Sequence, residues 1–452
     1  MAEQVDAVVV GMGPGGEEVA GRLAEAGMSV VGVDSRLLGG ECPYWGCVPS
    51  KMMIRAAGSL AEGRRIAGLA GSSTVVPDWE PVARRIREEA TDDWDDTVAV
   101  ERFEGRGGRF VRGEARITGP SAVTVEGVEF HAGTALVIAA GTEPSVPGIP
   151  GLAGTPYWTN REAVETTEVP RSLAVIGGGA VGLEFAQVFA RFGSQVTVME
   201  AADRLLAVEE PEAGQLIAEV FEREGLGVVA GARISRVAHD GGRFRIETAD
   251  GPPVEAERLL VATGRRADLD RLGVAAAGLD RSARFIAVDG HLRAGERLWA
   301  VGDITGRGAF THVAMYQARI AVADILGQPH QPADYRALPR VTFTDPEVGA
   351  VGLTEAQARD RGLTVSTALT PMPSSARGWI HKAGNDGFIK LVADRGSGLL
   401  VGATSAGPAG GEVLSALAVA VHGRVPVSVL AEMIYAYPTF HRAIEDAVRR
   451  LP

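Results

Sequence analysis

The pattern of apolar and polar positions occurs twice along the chain. Residues 8–34 read VVVGMGPGGEEVAGRLAEAGMSVVGVD, and residues 174–200 read AVIGGGAVGLEFAQVFARFGSQVTVME. Each segment begins with a β-branched run and a glycine cluster, continues with helical periodicity, and ends in a second apolar run closed by a carboxylate. The glycines and the carboxylates of the two segments stand at the same offset of 166 residues. The repeat therefore predicts two βαβ units of an α/β fold.

Both segments carry the pattern Gly-x-Gly-x-x-Gly between the predicted strand and the predicted helix. In such a loop the first glycine permits a tight turn, the second lets a pyrophosphate approach the backbone, and the third lets the helix pack on the strand. We call residues 11–16 the first glycine loop and residues 177–182 the second, and we predict dinucleotide binding at both. Their motif glycines are Gly11, Gly13, Gly16, Gly177, Gly179 and Gly182.

A carboxylate at the end of the second strand of each unit accepts hydrogen bonds from ribose hydroxyls in dinucleotide-binding proteins. Asp34 and Glu200 hold that position in the two repeats. Neighbouring loop positions supply the remaining predicted cofactor-binding residues, which are Pro14, Ser35, Gly40, Gly141 and Gly264.

The rest of the chain also alternates between strand and helix signals. Buried-strand runs end in turns of small residues or in a carboxylate at 135–144, 259–268 and 298–303, and a helix-like run follows at 312–326. A proline-rich stretch at 328–339 reads as a linker. Beyond it we predict strands at 387–392 and 399–404 and helices at 411–422 and 438–451. These patterns predict two Rossmann-like domains followed by a separate C-terminal α+β domain.

Composition narrows the classes of partner. The 452 residues are 46% hydrophobic and 23% charged, which is typical of soluble globular proteins. The net charge of −12 argues against nucleic acid as a partner, and no apolar run approaches the roughly 18 residues that span a bilayer. The first six residues are acidic rather than basic, so we expect no export signal and a cytoplasmic location.

The two cysteines of the chain lie in one segment, residues 39–51, which reads GGECPYWGCVPSK. Positions five apart in a regular α-helix lie about 8–9 Å apart at Cα, whereas a disulfide needs roughly 4.4–6.8 Å. Cys42 and Cys47 can therefore bond only if the helix is broken between them, which Pro43 and Gly46 permit. The alternative is two buried structural thiols. A structural zinc site would need four ligands, so no metal site is predicted.

With these motifs the whole chain resembles the class I pyridine nucleotide–disulfide oxidoreductases, such as dihydrolipoamide dehydrogenase, glutathione reductase, mycothione reductase and mercuric reductase. The resemblance implies that Asp34 and the first glycine loop hold the ADP half of FAD, and that Asp303 contacts its flavin side. The second loop would bind the nicotinamide nucleotide.

The resemblance also implies a division of the chain into domains. Residues 1–149 and 269–335 would form the FAD domain, 150–268 the nucleotide domain, and 336–452 the domain that forms a homodimer and completes the site of its partner.

Roles for four residues follow from the same resemblance. Cys47 would be the thiol beside the flavin, and Cys42 would be the interchange thiol that attacks the substrate. Lys51 matches the family lysine near the flavin, and Glu184 matches its ion-pair partner. An ordinary surface lysine and a helix-surface glutamate are the alternative for these two residues.

The charge of Glu200 bears on the choice between NADH and NADPH. A carboxylate at Glu200 suits the free ribose hydroxyls of NADH and repels a 2′-phosphate. Arg204, four positions later, could contact that phosphate. We predict NADH as the preferred nucleotide and NADPH as the less favoured one.

The C-terminal segment departs from the pattern of the family's thiol reductases, which carry a His-Pro-Thr motif with a glutamate five positions after the histidine. In this chain Tyr437 stands at the histidine position and Arg442 at the glutamate position. Tyrosine has an ordinary pKa near 10 and is a poor base at neutral pH. A rival pair is His441 with Glu445, one helical turn apart. We predict Tyr437 as a site residue and keep His441 as the second candidate.

Three functions remain open at this point. The first is an FAD-dependent reductase of a small-molecule disulfide. The second is a flavoenzyme of the same fold that acts on a quinone, dioxygen or an intermediate of specialised metabolism, and the third is a non-catalytic redox-sensing flavoprotein. Mercuric reductases also carry the tyrosine but add a C-terminal cysteine pair, which this chain lacks, so mercuric reduction is disfavoured.

Overall fold

A computed structural model describes residues 2–451. The chain folds into two compact units, each built from three separate segments. Unit 1 contains the described residues through Pro49 together with Arg84–Ser145 and Arg265–Tyr335. Unit 2 contains Ser50–Ala83, Val146–Gly264 and the described residues from Arg336 onward.

Strands occur throughout both units. They are β1 Glu3–Val10, β2 Val30–Asp34, β3 Arg109–Arg112, β4 Ala115–Gly119, β5 Ala122–Val125, β6 Val128–Ile138, β7 Glu143–Pro144, β8 Ser172–Ile176, β9 Gln195–Met199, β10 Gly227–Val229, β11 Ile234–Asp240, β12 Arg243–Thr248, β13 Val254–Ala256, β14 Arg258–Val261, β15 Arg265–Arg266, β16 Arg293–Gly295, β17 Leu298–Ala300, β18 Pro339–Thr342, β19 Glu347–Gly352, β20 Val365–Pro371, β21 Phe388–Asp394 and β22 Leu399–Gly407.

The α-helices alternate with these strands. They are α1 Pro14–Glu25, α2 Glu41–Tyr44, α3 Cys47–Arg65, α4 Glu80–Arg85, α5 Thr97–Gly105, α6 Asn160–Glu165, α7 Ala180–Arg191, α8 Pro211–Arg223, α9 Leu269–Leu272, α10 Thr311–Ile325, α11 Glu355–Asp360, α12 Ala376–His381, α13 Gly410–His422, α14 Val427–Glu432 and α15 Ala443–Val448. A π-helical turn continues α4 at Ile86–Ala90, and short 3₁₀ turns lie at Val274–Ala277, Asp303–Thr305 and Met372–Ser374.

Unit 1 is built on a mostly parallel sheet of order β16-β17-β6-β1-β2-β3, to which β5 and β4 add from β6 as antiparallel strands. At the end of β1, Val10 lies opposite Val33 of β2 and Ile138 of β6. Both faces of β1 are covered, which explains why its sequence is a continuous apolar run. One face packs against α1 and α10 through Ala7, Val9, Val19, Leu23 and Ala318, and the other packs through Val8, Val10, Ile117, Val123 and Phe130.

Unit 2 contains a parallel sheet of order β10-β9-β8-β14 and an antiparallel meander, β11-β12-β13. The two sheets share a core that includes Ile176, Met199, Val237, Phe244 and Ile246. The C-terminal part of the unit is an antiparallel sheet of order β18-β19-β22-β21-β20. Helices α13 and α15 cover that sheet with buried residues, among them Leu414, Leu417, Ile444 and Val448.

The predicted repeat is present as two equivalent βαβ units. β1, α1 and β2 form the first unit, β8, α7 and β9 form the second, and in both the second motif glycine caps the helix. The mixed α/β fold and its Rossmann-like halves are therefore confirmed. The functional assignment of residues 1–149, 150–268, 269–335 and 336–452 stays a prediction.

Two boundaries near the C-terminus differ from the sequence pattern. The stretch predicted as a linker already becomes β18 at Pro339. The helix predicted over 438–451 begins only at Ala443. The Thr439 hydroxyl forms local hydrogen bonds to the backbone where the first helical turn was predicted. The Thr439 hydroxyl donates to the Ala436 carbonyl at 2.8 Å and accepts from the Arg442 amide at 3.1 Å. His441 therefore precedes the helix.

Among residues 2–451, no helix is both long and apolar enough to cross a bilayer.

Candidate functional site

The first glycine loop connects β1 to α1 and leaves open space at its centre. Gly11 has a φ of +95°, and a Cβ there would meet the Ala139 carbonyl carbon at 2.5 Å. A Cβ on Gly16 would collide with the Gly11 carbonyl oxygen. A Cβ on Gly13 would meet nothing within 4 Å. The open position above the helix N-terminus fits a phosphate group, which the helix dipole and free amides favour.

The second glycine loop repeats this arrangement in unit 2. Gly177 has a φ of +117°, and a Cβ on Gly182 would collide with its carbonyl oxygen. Gly179 again faces open space and caps α7 with extended backbone. The same backbone conformation therefore leaves an open space of the same kind at the helix N-terminus in both units.

The strand-end carboxylates brace the two loops in the same way. Asp34 accepts hydrogen bonds from the Met12 and Arg36 amides, each at 2.8 Å. Glu200 accepts from the equivalent amides of Gly178 and Ala202. Each carboxylate oxygen keeps a second lone pair, which can accept from a ribose hydroxyl. Burial raises the pKa of Asp34 against the opposing effect of these amides, so an added hydroxyl donor would compensate for lost solvation.

Asp303 follows β17 and forms a cluster with Thr142 and Arg265 in unit 1. The Thr142 hydroxyl donates to Asp303 at 2.9 Å, and the Arg265 guanidinium donates to the Thr142 oxygen at 2.8 Å. Arg265 also lies 3.7 Å from the Glu41 carboxylate. Burial raises the pKa of Asp303, and the nearby Arg265 charge opposes this shift. A mostly buried carboxylate held in this way fits a polar cofactor group.

The other predicted cofactor residues lie around these features. A Cβ on Gly40 (φ +68°) would come within 2.8 Å of the Gly13 Cα atom, so Gly40 lies against the first glycine loop. Gly141 and Gly264 both have positive φ and face open space. Ser35 directly follows β2 and is exposed. Pro14 is the first residue of α1, where its missing amide hydrogen costs no hydrogen bond.

The cysteine pair lies at a break between two helices. α2 ends at Tyr44, and α3 begins at Cys47, so the helix is interrupted as a bond between the thiols requires. The Cys42 thiol contacts the Cys47 thiol, and this contact together with burial raises the pKa of Cys42. The Thr311 hydroxyl, at the start of α10, lies 3.6 Å from the Cys47 sulfur and opposes that shift.

Lys51 and Glu184 form an ion pair in unit 2. The Lys51 ammonium lies 2.8 Å from one carboxylate oxygen of Glu184, and the Phe343 amide donates to the other at 2.8 Å. The ammonium also lies 4.6 Å from the centre of the Phe343 ring. The Glu184 side chain is only 8% exposed, so it is no ordinary helix-surface glutamate. Its buried charge is matched by one cation and one amide.

The C-terminal candidates lie on and before α15. The Tyr437 side chain is 70% exposed, and the Arg442 guanidinium lies 5.5 Å from its ring centre. The His441 ring packs 5.3 Å from the Tyr435 ring. Glu445 forms ion pairs with Arg442 and Arg449. Two guanidinium groups therefore already engage the carboxylate that the sequence paired with His441.

Sequence reasoning missed three residues that the structure brings to the site. Thr311 contacts the thiol pair, and Thr142 and Arg265 hold Asp303. Each is far from its partner along the chain. Their local signal was position, because Thr311 begins a helix, Thr142 follows a strand and Arg265 begins the short strand β15.

Comparisons with known proteins cover nearly the whole chain. A family model described as pyridine nucleotide-disulphide oxidoreductase matches residues 5–318, and one described as the dimerisation domain of that family matches residues 338–448. The chain is 34% identical over 459 residues to a mercuric reductase of Acidithiobacillus ferrooxidans, covering 99% of this chain and 82% of that protein.

Two further similarities extend this result. A dihydrolipoyl dehydrogenase of Chlorobaculum tepidum is 32% identical over 467 residues, which cover 99% of this chain and 97% of that protein. The solved structure of RclA, an HOCl-induced flavoprotein disulfide reductase from Escherichia coli, superposes with a TM-score of 0.86 at 26% identity. That match covers 98% of this chain and 99% of the solved one.

We expect substitution of Gly13 to affect FAD binding and substitution of Gly16 to affect stability. Gly13→Ala places a methyl group in the open cradle, so it should weaken FAD binding at least tenfold without unfolding the protein. Gly16→Ala must displace the Gly11 carbonyl and should destabilise the protein by about 1–3 kcal/mol. FAD retention after dialysis and denaturant unfolding of both variants measure the difference. Wild-type FAD affinity in Gly13→Ala would contradict the assigned cradle.

The Cys42 thiol should become more acidic when its neighbour is removed. In the reduced protein, Cys47→Ser removes a thiol that can carry a negative charge, so the pKa of Cys42 should fall and its alkylation should begin at lower pH. Thr311→Val, the matched variant, removes a stabilising hydrogen bond and should shift the same profile upward. Site-resolved mass spectrometry of alkylation against pH reports both shifts. An unchanged Cys42 profile in Cys47→Ser would show that the thiols are not coupled.

Proposed function

We propose that this chain, which belongs to the pyridine nucleotide–disulphide oxidoreductase family, uses NADH to reduce a small-molecule disulfide through FAD and the Cys42–Cys47 pair. Family membership makes it an FAD-dependent oxidoreductase that uses a nicotinamide nucleotide. The observation that carries the proposal is the thiol pair at the α2–α3 break, in contact with Thr311. The same unit contains the first glycine loop and the Asp303 cluster.

The residues present fit both nucleotide cofactors. Bound FAD would accept a hydride from the nicotinamide and pass an electron pair to a disulfide. Asp34 and the first glycine loop would hold its ADP half, and Asp303 would orient its flavin side. Lys51, with its charge fixed by Glu184, would supply a positive charge near the flavin.

The pKa of Cys42 suggests how the reduced thiols divide their roles. Two neighbouring thiolates repel each other, so the reduced pair would hold at most one negative charge. The contact with Cys47 and burial raise the pKa of Cys42, which favours its protonated form, so a thiolate of the pair would be that of Cys47. Cys42 must then lose its proton to attack a disulfide, since the thiolate is the nucleophile. An acid–base group near the substrate is therefore required.

Tyr437 is our proposed group at this position. Its phenol is exposed, and Arg442 brings a positive charge beside the ring, which suits an anionic substrate. His441 is the alternative, although Glu445 already pairs with two arginines. Either residue would act on the partner subunit's thiols if the chain forms a homodimer.

We propose a homodimer from the C-terminal domain. The segment that matches the family's dimerisation domain exposes several large apolar side chains. Trp379 is 76% exposed and Ile434 is 96% exposed, and Ile434 lies three residues before Tyr437. A second copy of the chain on this surface would cover these residues and bring Tyr437 into an enclosed site.

The preference for NADH rests on two neighbouring side chains. Glu200 presents its carboxylate at the end of β9, where it suits free ribose hydroxyls. Arg204 donates to the Leu206 carbonyl at 3.0 Å and to the Ala207 carbonyl at 2.8 Å. Its guanidinium is thus engaged with the backbone instead of being available to a 2′-phosphate.

Anaerobic reduction with NADH tests the electron path. We expect wild-type protein to develop a long-wavelength absorption band from a thiolate beside the flavin, and we expect Cys47→Ser to lack it. Cys42→Ser should accept electrons from NADH but lose turnover of disulfide substrates. If Cys42→Ser turns over as fast as wild type, disulfide exchange is excluded. Turnover of quinones alone would favour the alternative function.

The same assay distinguishes the two acid–base candidates. Tyr437→Phe should slow disulfide turnover at least tenfold while the rate of flavin reduction by NADH stays unchanged. His441→Asn serves as the matched variant and should keep near-wild-type turnover. The reverse result would move the role to His441, and equal slowing of both half-reactions would reject either role.

Nucleotide preference can be measured directly. Wild-type kcat/KM should favour NADH over NADPH by at least tenfold, because Glu200 repels the 2′-phosphate. Glu200→Gln removes that charge and should reduce the ratio, mainly by improving the KM for NADPH. A wild-type enzyme that prefers NADPH would refute the proposal.

A further inference from the structure

Three potential metal ligands meet at a place in unit 1 outside the glycine loops and the thiol pair. They are His291, just before β16, Asp324, near the end of α10, and His330, in the segment that follows. We call them the His–Asp–His cluster. The His291 Nδ1 and His330 Nε2 atoms lie 2.8 Å apart, and His330 Nε2 lies 3.7 Å from Asp324 Oδ1. One ligand atom from each residue lies within 4.8 Å of the others.

The tautomer of the neutral His330 ring is set by a hydrogen bond to a backbone carbonyl. Its Nδ1 lies 2.9 Å from the Gln328 carbonyl oxygen, which can only accept a hydrogen bond. Nδ1 therefore carries the proton, and in the neutral ring Nε2 presents its lone pair toward Asp324 and His291. Metal-bound histidines are commonly oriented by this type of second hydrogen bond.

Asp324 is held as a charged ligand with one oxygen partly available. Oδ2 accepts from the Arg293 guanidinium at 2.6 Å and from the Trp299 indole at 2.8 Å, whereas Oδ1 accepts from Arg293 at 3.0 Å. Oδ1, the atom nearest His330, keeps a second lone pair.

The backbone around the cluster is fixed by its own hydrogen bonds. The Asp289 carboxylate accepts from the His291 amide at 2.8 Å and from the Arg293 amide at 2.9 Å, which closes the turn that carries His291. The Ala333 amide donates to the Gly290 carbonyl at 2.7 Å, which ties the His330 segment to this turn. The three ligands are thus positioned by contacts other than those among themselves.

We propose that the His–Asp–His cluster binds one divalent transition-metal ion of the Zn²⁺ class, a site separate from the redox chemistry proposed above. Two imidazole nitrogens and one carboxylate oxygen form a ligand set that this class prefers, with water completing the coordination. The ion would replace the hydrogen bond between the histidines, and His291 would move its proton from Nδ1 to Nε2.

The distances require only a small adjustment. An ion with bonds of about 2.0–2.1 Å separates its ligand atoms by about 2.9 Å at right angles and about 4.1 Å when they are opposite. The observed 2.8 Å and 3.7 Å separations lie close to that range. The ligand atoms of the third pair, His291 and Asp324, lie within 4.8 Å of each other. The site was not predicted from the sequence, because its ligands are spread over 40 residues and follow no short motif.

Zn²⁺ binding to the metal-free, FAD-loaded enzyme tests the proposal. Equilibrium dialysis followed by elemental analysis should find one ion per chain, and it should still do so in Cys42→Ser/Cys47→Ser, which removes the thiols as competing ligands. In that background His291→Ala and His330→Ala should each weaken the affinity at least tenfold. His422→Ala, which removes an exposed histidine outside the cluster, should leave it unchanged.

A second readout separates ligation from a loss of folding. Co²⁺ in place of Zn²⁺ should give visible absorption bands typical of nitrogen and oxygen ligands, and both cluster variants should lose these bands while keeping bound FAD and the wild-type melting temperature. The proposal is overturned if the thiol-free protein binds no Zn²⁺, or if it binds Zn²⁺ equally well without either histidine. NADH-dependent turnover of metal-free enzyme reports on the redox proposal alone.

Discussion

The rest of the structure depends on one constraint. Helices α1 and α7 each approach the glycine turn that precedes them very closely. At Gly16 and at Gly182 the helix backbone lies so near the carbonyl of the first motif glycine that a side chain has no room. This contact aims α1 and α7 at the open spaces beside Gly13 and Gly179. In each unit the strand-end carboxylate then bonds to loop amides, so the same packing contact shapes both predicted nucleotide loops.

The charged side chains of the two units are compensated in different ways. Asp34 and Asp303 lose solvation and are compensated by amides, a hydroxyl and a guanidinium, which leaves each able to accept a further donor. Glu184 is fully matched by Lys51 and an amide. At the thiol pair, the contact with Cys47 and burial raise the pKa of Cys42. Asp34 and Asp303 can therefore each accept a further hydrogen bond, whereas at the thiol pair the neighbouring sulfur raises the pKa of Cys42.

Local sequence was sufficient where structure is set by neighbours in the chain. The repeat predicted β1–α1–β2 and β8–α7–β9, and Pro43 and Gly46 were recognised as residues that permit the break between α2 and α3. Local sequence did not predict contacts between residues far apart in the chain, such as Thr311 with Cys47, Arg265 with Thr142, and His330 with His291. It also failed at residues 438–442, where the Thr439 hydroxyl competes with helical hydrogen bonding. Family resemblance supplied roles and the Lys51–Glu184 ion pair, but not the contacts of Thr311, Thr142 and Arg265.

The assembly of each unit from three separate segments has a consequence for synthesis on the ribosome. The sheet of unit 1 requires β1 near the amino terminus and β17 at Leu298–Ala300, and one face of β1 is covered by α10, which ends at Ile325. The nascent chain therefore holds its first βαβ segment, which ends at Asp34, incomplete until about 260 further residues have been made, since non-local pairings form late. The intervening β8–β14 region contains a parallel sheet of its own and can fold during that delay.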